Sequence, residues 1–165
     1  MVGHYHSLMD QITVGGETFS ISRAVRDDVA SLVELLSDDF LGSTRETTDI
    51  DAYLTAFDDI DADPNQFLAV IRDAHDKLCG TFQLTLIPGL SRGGTKRLQI
   101  EAVRLDSSTR GKGLGSAMFT WAHEWGRSRG ATFAQLTTDK KRNDAHRFYD
   151  SLGYAATHQG YKLVL

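Results

Sequence analysis

The chemistry-bearing part of this 165-residue chain lies between Ile100 and Ser116. Ile100-Glu101-Ala102-Val103-Arg104-Leu105 reads as a strand. Asp106-Ser107-Ser108-Thr109-Arg110 follows, and then Gly111, Gly113 and Gly115 alternate with Lys112, Leu114 and Ser116. Glycine lets a ligand approach bare backbone, with no Cβ in the way. A helix opening there offers free N–H groups and the positive end of its dipole. Arg110 and Lys112 add charge. Together these predict a cradle for a phosphate or diphosphate. Charge-assisted hydrogen bonds are worth about 1.5–3 kcal/mol each, so a handful holds a diphosphate. Two common phosphate motifs fail on spacing. GxGxxG would need glycine where Ser116 or Met118 stands. GxxxxGK[ST] fails because Lys112 is followed by Gly113 and no glycine lies five before Gly111.

The elements that must position this turn can be read from periodicity. Residues 1–17 read as a loose leader, with residues 18–165 as one domain. Phe19 to Val25 alternates as a strand. Asp27 and Asp28 supply cap chemistry for a helix to about Leu36, with Val29, Leu32, Val33 and Leu36 at helical spacing. Residues 38–48 read as a loop, and a second helix spans about Asp51 to Phe57. Strands follow at Gln66–Arg72, Leu78–Ile87 and Lys96–Leu105, with a Gly/Ser-rich hairpin loop at Pro88–Thr95. A helix from about Gly113 to Arg129 carries the apolar stripe Leu114, Met118, Trp121, Ala122 and Trp125. Phe133–Thr138 is a strand and Asp144–Leu152 a short helix. Tyr154–His158 and Tyr161–Leu165 read as two closing strands. The order β-α-α-β-β-β-α-β-α-β-β predicts a single mixed α/β domain.

Arg-x-x-Gly-x-Gly at 110–115 resembles the [Gln/Arg]-x-x-Gly-x-[Gly/Ala] turn of the GNAT superfamily of N-acetyltransferases. Ala145-His146-Arg147-Phe148-Tyr149-Asp150-Ser151-Leu152-Gly153-Tyr154 is similar to that superfamily's A-x-x-F-Y-x-x-L-G-[FY] helix signature. The resemblance covers about residues 18–165 in element order and is sharp over 98–154. It implies a GNAT-like domain with a splayed central sheet, and acetyl-CoA as cosubstrate, with no metal. By resemblance, Arg110, Gly111, Lys112, Gly113, Leu114, Gly115 and Ser116 hold the pyrophosphate, and backbone groups of Val103 and Leu105 pair with the pantetheine arm. The superfamily often has Asn three residues before the alanine of the helix signature. Here that position is Arg142. Either Asn143 has taken the pantetheine contact or Arg142 serves CoA instead.

The chemistry implied is direct attack of a primary amine on the thioester. Making a lysine-like amine neutral at pH 7 costs about 4–5 kcal/mol, so a base is wanted. Glu101 is the candidate base, on the strand before the turn; the alternative is an ordinary strand residue. Tyr149 resembles the superfamily tyrosine beside the CoA sulfur, which protonates the leaving thiolate. Phe148 and Tyr149 are adjacent, so they face different surroundings. A catalytically silent acyl-CoA-binding sensor would keep the phosphate turn but not need Glu101 or Tyr149.

Net charge is −4, unevenly spread: residues 1–91 carry −11 and residues 92–147 carry +7. The basic stretch contains the whole expected CoA site, and CoA is a polyanion. The chain is no general nucleic-acid binder. The acidic stretch, with Asp38, Asp39, Glu46, Asp49, Asp51, Asp58, Asp59, Asp61 and Asp63, is either a mouth for a cationic small-molecule or peptide amine or a solvated face. Arg45 and Arg92 are alternative partners for an acceptor carboxylate. One cysteine, Cys79, excludes an intrachain disulfide and fits a reducing cytoplasm. No signal peptide is expected, and with no run of about 18 apolar residues no membrane span is expected either. His4 and His6 have metal-like spacing without further partners, and His123 reads as solvated. Monomer and homodimer both remain open.

Overall fold

The computed structural model describes residues 9–38, 47 and 49–165. Six strands form one sheet in sequence order. Strands β1 (Asp10–Val14) and β2 (Glu17–Arg23) make a hairpin around Gly15 and Gly16, whose φ angles are 59° and 83°. Two successive positive φ angles give a turn whose twist matches the strands it joins. The reading of a loose leader is thereby corrected for residues 10–17; residues 1–8 lie outside the described residues. Residues 10–14 are an edge strand, in register from Asp10↔Ile21 to Val14↔Glu17. His4 and His6 lie outside the described residues.

A short helical turn (Arg26–Asp28) leads into α1 (Val29–Ser37). Asp28 is 7% exposed. One of its oxygens accepts the Val25 N–H at 2.9 Å, and the other pairs with the Arg72 guanidinium. Residues 39–46 and 48 are outside the description, and with them Asp39, Arg45 and Glu46. Helix α2 (Ile50–Ala62) is capped by Asp49, whose carboxylate accepts from the Asp51 N–H at 3.1 Å. It continues five residues past the expected end and stops before Asp63-Pro64. Strands β3 (Gln66–Arg72), β4 (Leu78–Pro88) and β5 (Lys96–Leu105) are antiparallel and lie within one residue of expectation. Helix α3 (Leu114–Ser128) crosses over to β6 (Ala131–Gln135), which pairs parallel to β5, and α4 (Asn143–Ser151) follows.

Alternation along the strands divides the interior in two. Phe19, Ile21, Ala69, Ile71, Phe82, Leu84, Leu98 and Ile100 meet Leu114, Met118, Phe119, Ala122 and Trp125 of α3. Ala24 and Val70 meet Val29 and Leu32 of α1 and Phe57 of α2 on the other face. In α3, Gly126 rests on β5 so closely that an added Cβ would stand 2.8 Å from Leu98 Cδ2. Trp121 is half-buried against Phe67 and Phe82, and its Nε1–H donates to Asp10 Oδ2 at 2.8 Å. No helix among the described residues is long and apolar enough to cross a membrane.

The C-terminal end differs from expectation. Residues 154–165 form neither of the two strands predicted, and Tyr161, Leu163, Val164 and Leu165 are 85–112% exposed. Their alternation is strand-like, but strand propensity is realised only against a partner.

The sheet splits where chemistry was expected. Strand β6 pairs with β5 only along Lys96–Gln99. Beyond that, Ile100–Leu105 has β4 on one side and, among the described residues, an open edge on the other. A bulge sits in this open stretch. The register passes from Gln83↔Glu101 to Thr81↔Arg104, and Ala102 takes a φ of 51°. An extra residue of this kind bends a strand and re-aims its neighbours.

Candidate active site

Two backbone features meet at the split. The first is the open edge of β5. The Asp106 N–H bonds across to Cys79 O at 2.8 Å, so past the bulge Arg104 and Asp106 turn their polar groups toward β4. Val103 and Leu105 turn theirs outward. Both outward carbonyls carry guanidinium donors: Arg104 Nη1 reaches Val103 O at 2.8 Å, and Arg110 Nε reaches Leu105 O at 3.1 Å. Arg110 thus lies back along the strand edge.

The second feature is the start of α3. Its N-cap is Gly113, at φ 85° with no side-chain cap, and the first helical bond runs from Ala117 N–H to Gly113 O. The N–H groups of Leu114, Gly115 and Ser116 therefore lack intrahelical acceptors. Asp106 builds the approach. Its Oδ1 accepts from the Ser108 N–H at 2.9 Å and from Ser108 Oγ, while Thr109 Oγ1 donates to Asp106 O at 2.9 Å. Hydrogen bonds from Ser108 hold the Asp106 carboxyl down at about 2. The sign follows directly. A depressed folded pKa contributes stability that is complete above the ordinary value of 3.8 and is lost as pH falls toward 2. Asp106→Asn is expected to flatten the acid limb of thermal stability between pH 4 and pH 2, as followed by circular dichroism; an unchanged limb refutes it.

The three glycines of the turn have different reasons. Gly111 sits at φ 75° with open space around its missing Cβ, and Gly113 at φ 85°. Both are required by left-handed backbone. For Gly115 the structure gives a packing reason: a Cβ there would stand 3.2 Å from Phe148 Cζ. It seats α3 on α4. Lys112 Nζ bonds Glu17 Oε1 at 3.2 Å, and Ser116 is exposed. Leu114 buries its side chain in the core.

Arg142 and Asn143 open α4. They line a cleft of about 460 Å³ with Lys141, Asp144, Ala145 and Arg147. Tyr149 is half-buried among Phe119, Phe148 and Tyr154, at ring distances of 5.5–6.1 Å, so contrary to expectation it shares the surroundings of Phe148, whose ring also lies 5.6 Å from Phe119. Burial raises its phenol pKa, while Arg142 and Arg104 pull it back down. Glu101 stands exposed on β5 opposite Gln83, on the α1/α2 face. Tyr149 approaches from the α3 face, so the two candidates are separated by the sheet and meet only through its split.

Some placements were not legible in the sequence. His123 is not solvated; its Nε2 and the Tyr154 hydroxyl are 2.7 Å apart, and burial lowers its pKa. Arg104 is placed at the open edge by the bulge beside it, which no motif announces. Cys79 is buried, its thiol pushed up to about 11 by desolvation. Several acids of the supposed mouth are engaged: Asp58 pairs with Arg26, Asp61 with Arg23 at 3.8 Å, and Asp63 caps Asn65.

The Acetyltransferase (GNAT) family model matches residues 29–154. The chain belongs to the GNAT family. Among solved structures, it is similar to a transcriptional regulator from Bacillus halodurans, with 39% identity and a TM-score of 0.84 over 89% of this chain and 99% of that one. The uncharacterised N-acetyltransferase YhdJ of Bacillus subtilis is 28% identical over 69% of this chain and 79% of its own. The aminoalkylphosphonate N-acetyltransferase of Salmonella typhimurium is 47% identical over 30% of this chain, which spans 32% of that protein. GNAT members generally use acetyl-CoA. The donors at the α3 N-terminus and the open β5 edge fit its diphosphate and its amide-bearing arm.

Proposed function

We propose that this GNAT protein is an N-acetyltransferase that moves an acetyl group from acetyl-CoA to a primary amine by direct attack. The observation that carries this is the uncapped start of α3 set beside the open edge of β5. One element offers three N–H donors to a diphosphate; the other offers Val103 and Leu105 to an amide-bearing chain. Acetyl-CoA supplies the activated thioester.

In this reading the pyrophosphate lies on the N–H groups of Gly111 to Ser116, with Arg110 and Lys112 adding charge. Arg110 then exchanges its bond to Leu105 O for a phosphate oxygen, which frees that carbonyl for a pantetheine N–H. Arg142 or Asn143 steadies the arm from the α4 cleft. Glu101 takes the proton from the incoming amine on one face of the sheet. Tyr149 gives a proton to the departing thiolate from the other face. Its raised pKa keeps it protonated at neutral pH.

The test is direct binding. Arg110→Glu combined with Gly113→Ala is expected to weaken acetyl-CoA affinity on the order of 10²-fold by calorimetry, since several charge-assisted bonds are lost. Far-ultraviolet circular dichroism should remain that of the folded protein. Unchanged affinity in a folded variant refutes the phosphate assignment.

A further inference from the structure

The face of the sheet that carries Glu101 is paved with uncharged hydrogen-bonding side chains. In the β3–β6 register Gln66 faces Thr85, Thr85 faces Gln99, and Gln99 faces Gln135; Gln83 faces Glu101 one step further along. The row thus crosses four strands, which are spaced about 4.8 Å apart. All five uncharged residues are half-buried.

They bond to one another but do not exhaust one another. Gln66 Oε1 accepts from Gln83 Nε2 at 3.1 Å and from Thr85 Oγ1 at 2.8 Å. Gln99 Oε1 accepts from Gln135 Nε2 at 2.7 Å. Among the described residues, the amide NH2 groups of Gln66 and Gln99 and the amide oxygens of Gln83 and Gln135 make no further bond. Donors and acceptors therefore alternate across the floor. A hydroxyl is both donor and acceptor, and suits such a surface better than a hydrocarbon or an ammonium does.

Charge on this face argues the same way. Glu101 is the one carboxylate in β3, β4, β5 and β6. At the other end of the row Arg97 is paired in register with Phe133, and the Arg92 guanidinium stacks on the Phe133 ring at 5.6 Å. Along these four strands a polycation would meet one carboxylate and then two guanidiniums.

We propose that the acceptor is a primary amine on a hydroxylated body, an amino sugar or amino polyol, with its amine at Glu101 and its hydroxyls on the Gln66, Gln83, Gln99 and Gln135 floor. This rests on the acetyltransferase reading above.

The experiment measures thiol release from acetyl-CoA with glucosamine, spermidine and n-propylamine. Glucosamine is expected to exceed spermidine at least tenfold in kcat/KM. Gln99→Leu with Gln135→Leu should raise the KM for glucosamine about tenfold while leaving kcat within twofold, as the loss of one or two neutral hydrogen bonds requires. Turnover of n-propylamine by that variant should be unchanged, which also shows that it is folded. Preference for spermidine, or an unmoved KM for glucosamine, overturns the acceptor assignment and leaves the acetyltransferase reading standing. No thiol release with any of the three amines overturns both.

Discussion

Tyr149→Phe is expected to lower kcat about 10²-fold and to leave the KM for acetyl-CoA nearly unchanged. The reasoning is one of role. A positioned general acid contributes roughly 10²–10⁴-fold, and a phenol that stays protonated at neutral pH is such an acid. Deleting one oxygen keeps the ring, so its packing on Phe119, Phe148 and Tyr154 survives. Among the described residues the Tyr149 hydroxyl makes no hydrogen bond that its loss would orphan. Melting temperature should therefore move little. Stopped-flow or steady-state thiol release, beside a melting curve, separates the two effects. A kcat within threefold of wild type removes Tyr149 from the chemistry. A large fall in stability would instead assign it to the core.

The second large effect is on stability. Asp28→Ala is expected to cost about 3 kcal/mol, toward the low end of the range for breaking a buried ion pair. That is roughly 6–12 °C in Tm for a chain of this size. The alanine leaves two groups unserved: the Val25 N–H at the entry to α1, and the Arg72 guanidinium, whose side chain is 24% exposed. Arg72 also donates to Asp76 O at 3.0 Å, so it is not wholly stranded. Asp28→Asn keeps an acceptor for Val25 and should lose less. Thermal unfolding of the two variants checks the order, and equal melting points for wild type and Asp28→Ala refute the argument. Tyr149→Phe and Asp28→Ala lie on different faces of the sheet, so a double variant should combine both losses without interaction.

The glycine turn at 110–116 was legible because it is local. Its information is held in consecutive residues, and Gly111 and Gly113 declare their left-handed backbone without reference to anything distant. The interior strands were legible for the same reason, through alternation. What the sequence could not show depends on partners. Gly15-Gly16 reads as slack until β1 and β2 are seen to pair across it. Gly115 looks like a third ligand-facing glycine, and only the approach of Phe148 reveals it as a packing residue. Tyr161–Leu165 has strand composition and no strand to join. Glu101 and Tyr149 could be nominated singly, but the split through which they meet follows from the early end of β5–β6 pairing. That ending is tertiary, and no residue type announces it.

The close seat of Gly126 on Leu98 gives α3 a fulcrum. From there to Leu114 the helix runs 12 residues, about 18 Å. A tilt of roughly 5° about that point would swing the N-terminal donors by about 1.5 Å over such a length. Misplacement of about 1 Å is enough to spoil a positioned site. A hydrogen atom in place of a methyl group near the far end of α3 thus works as a levelling shim, and the aim of the N-terminal donors is set a little over three helical turns away.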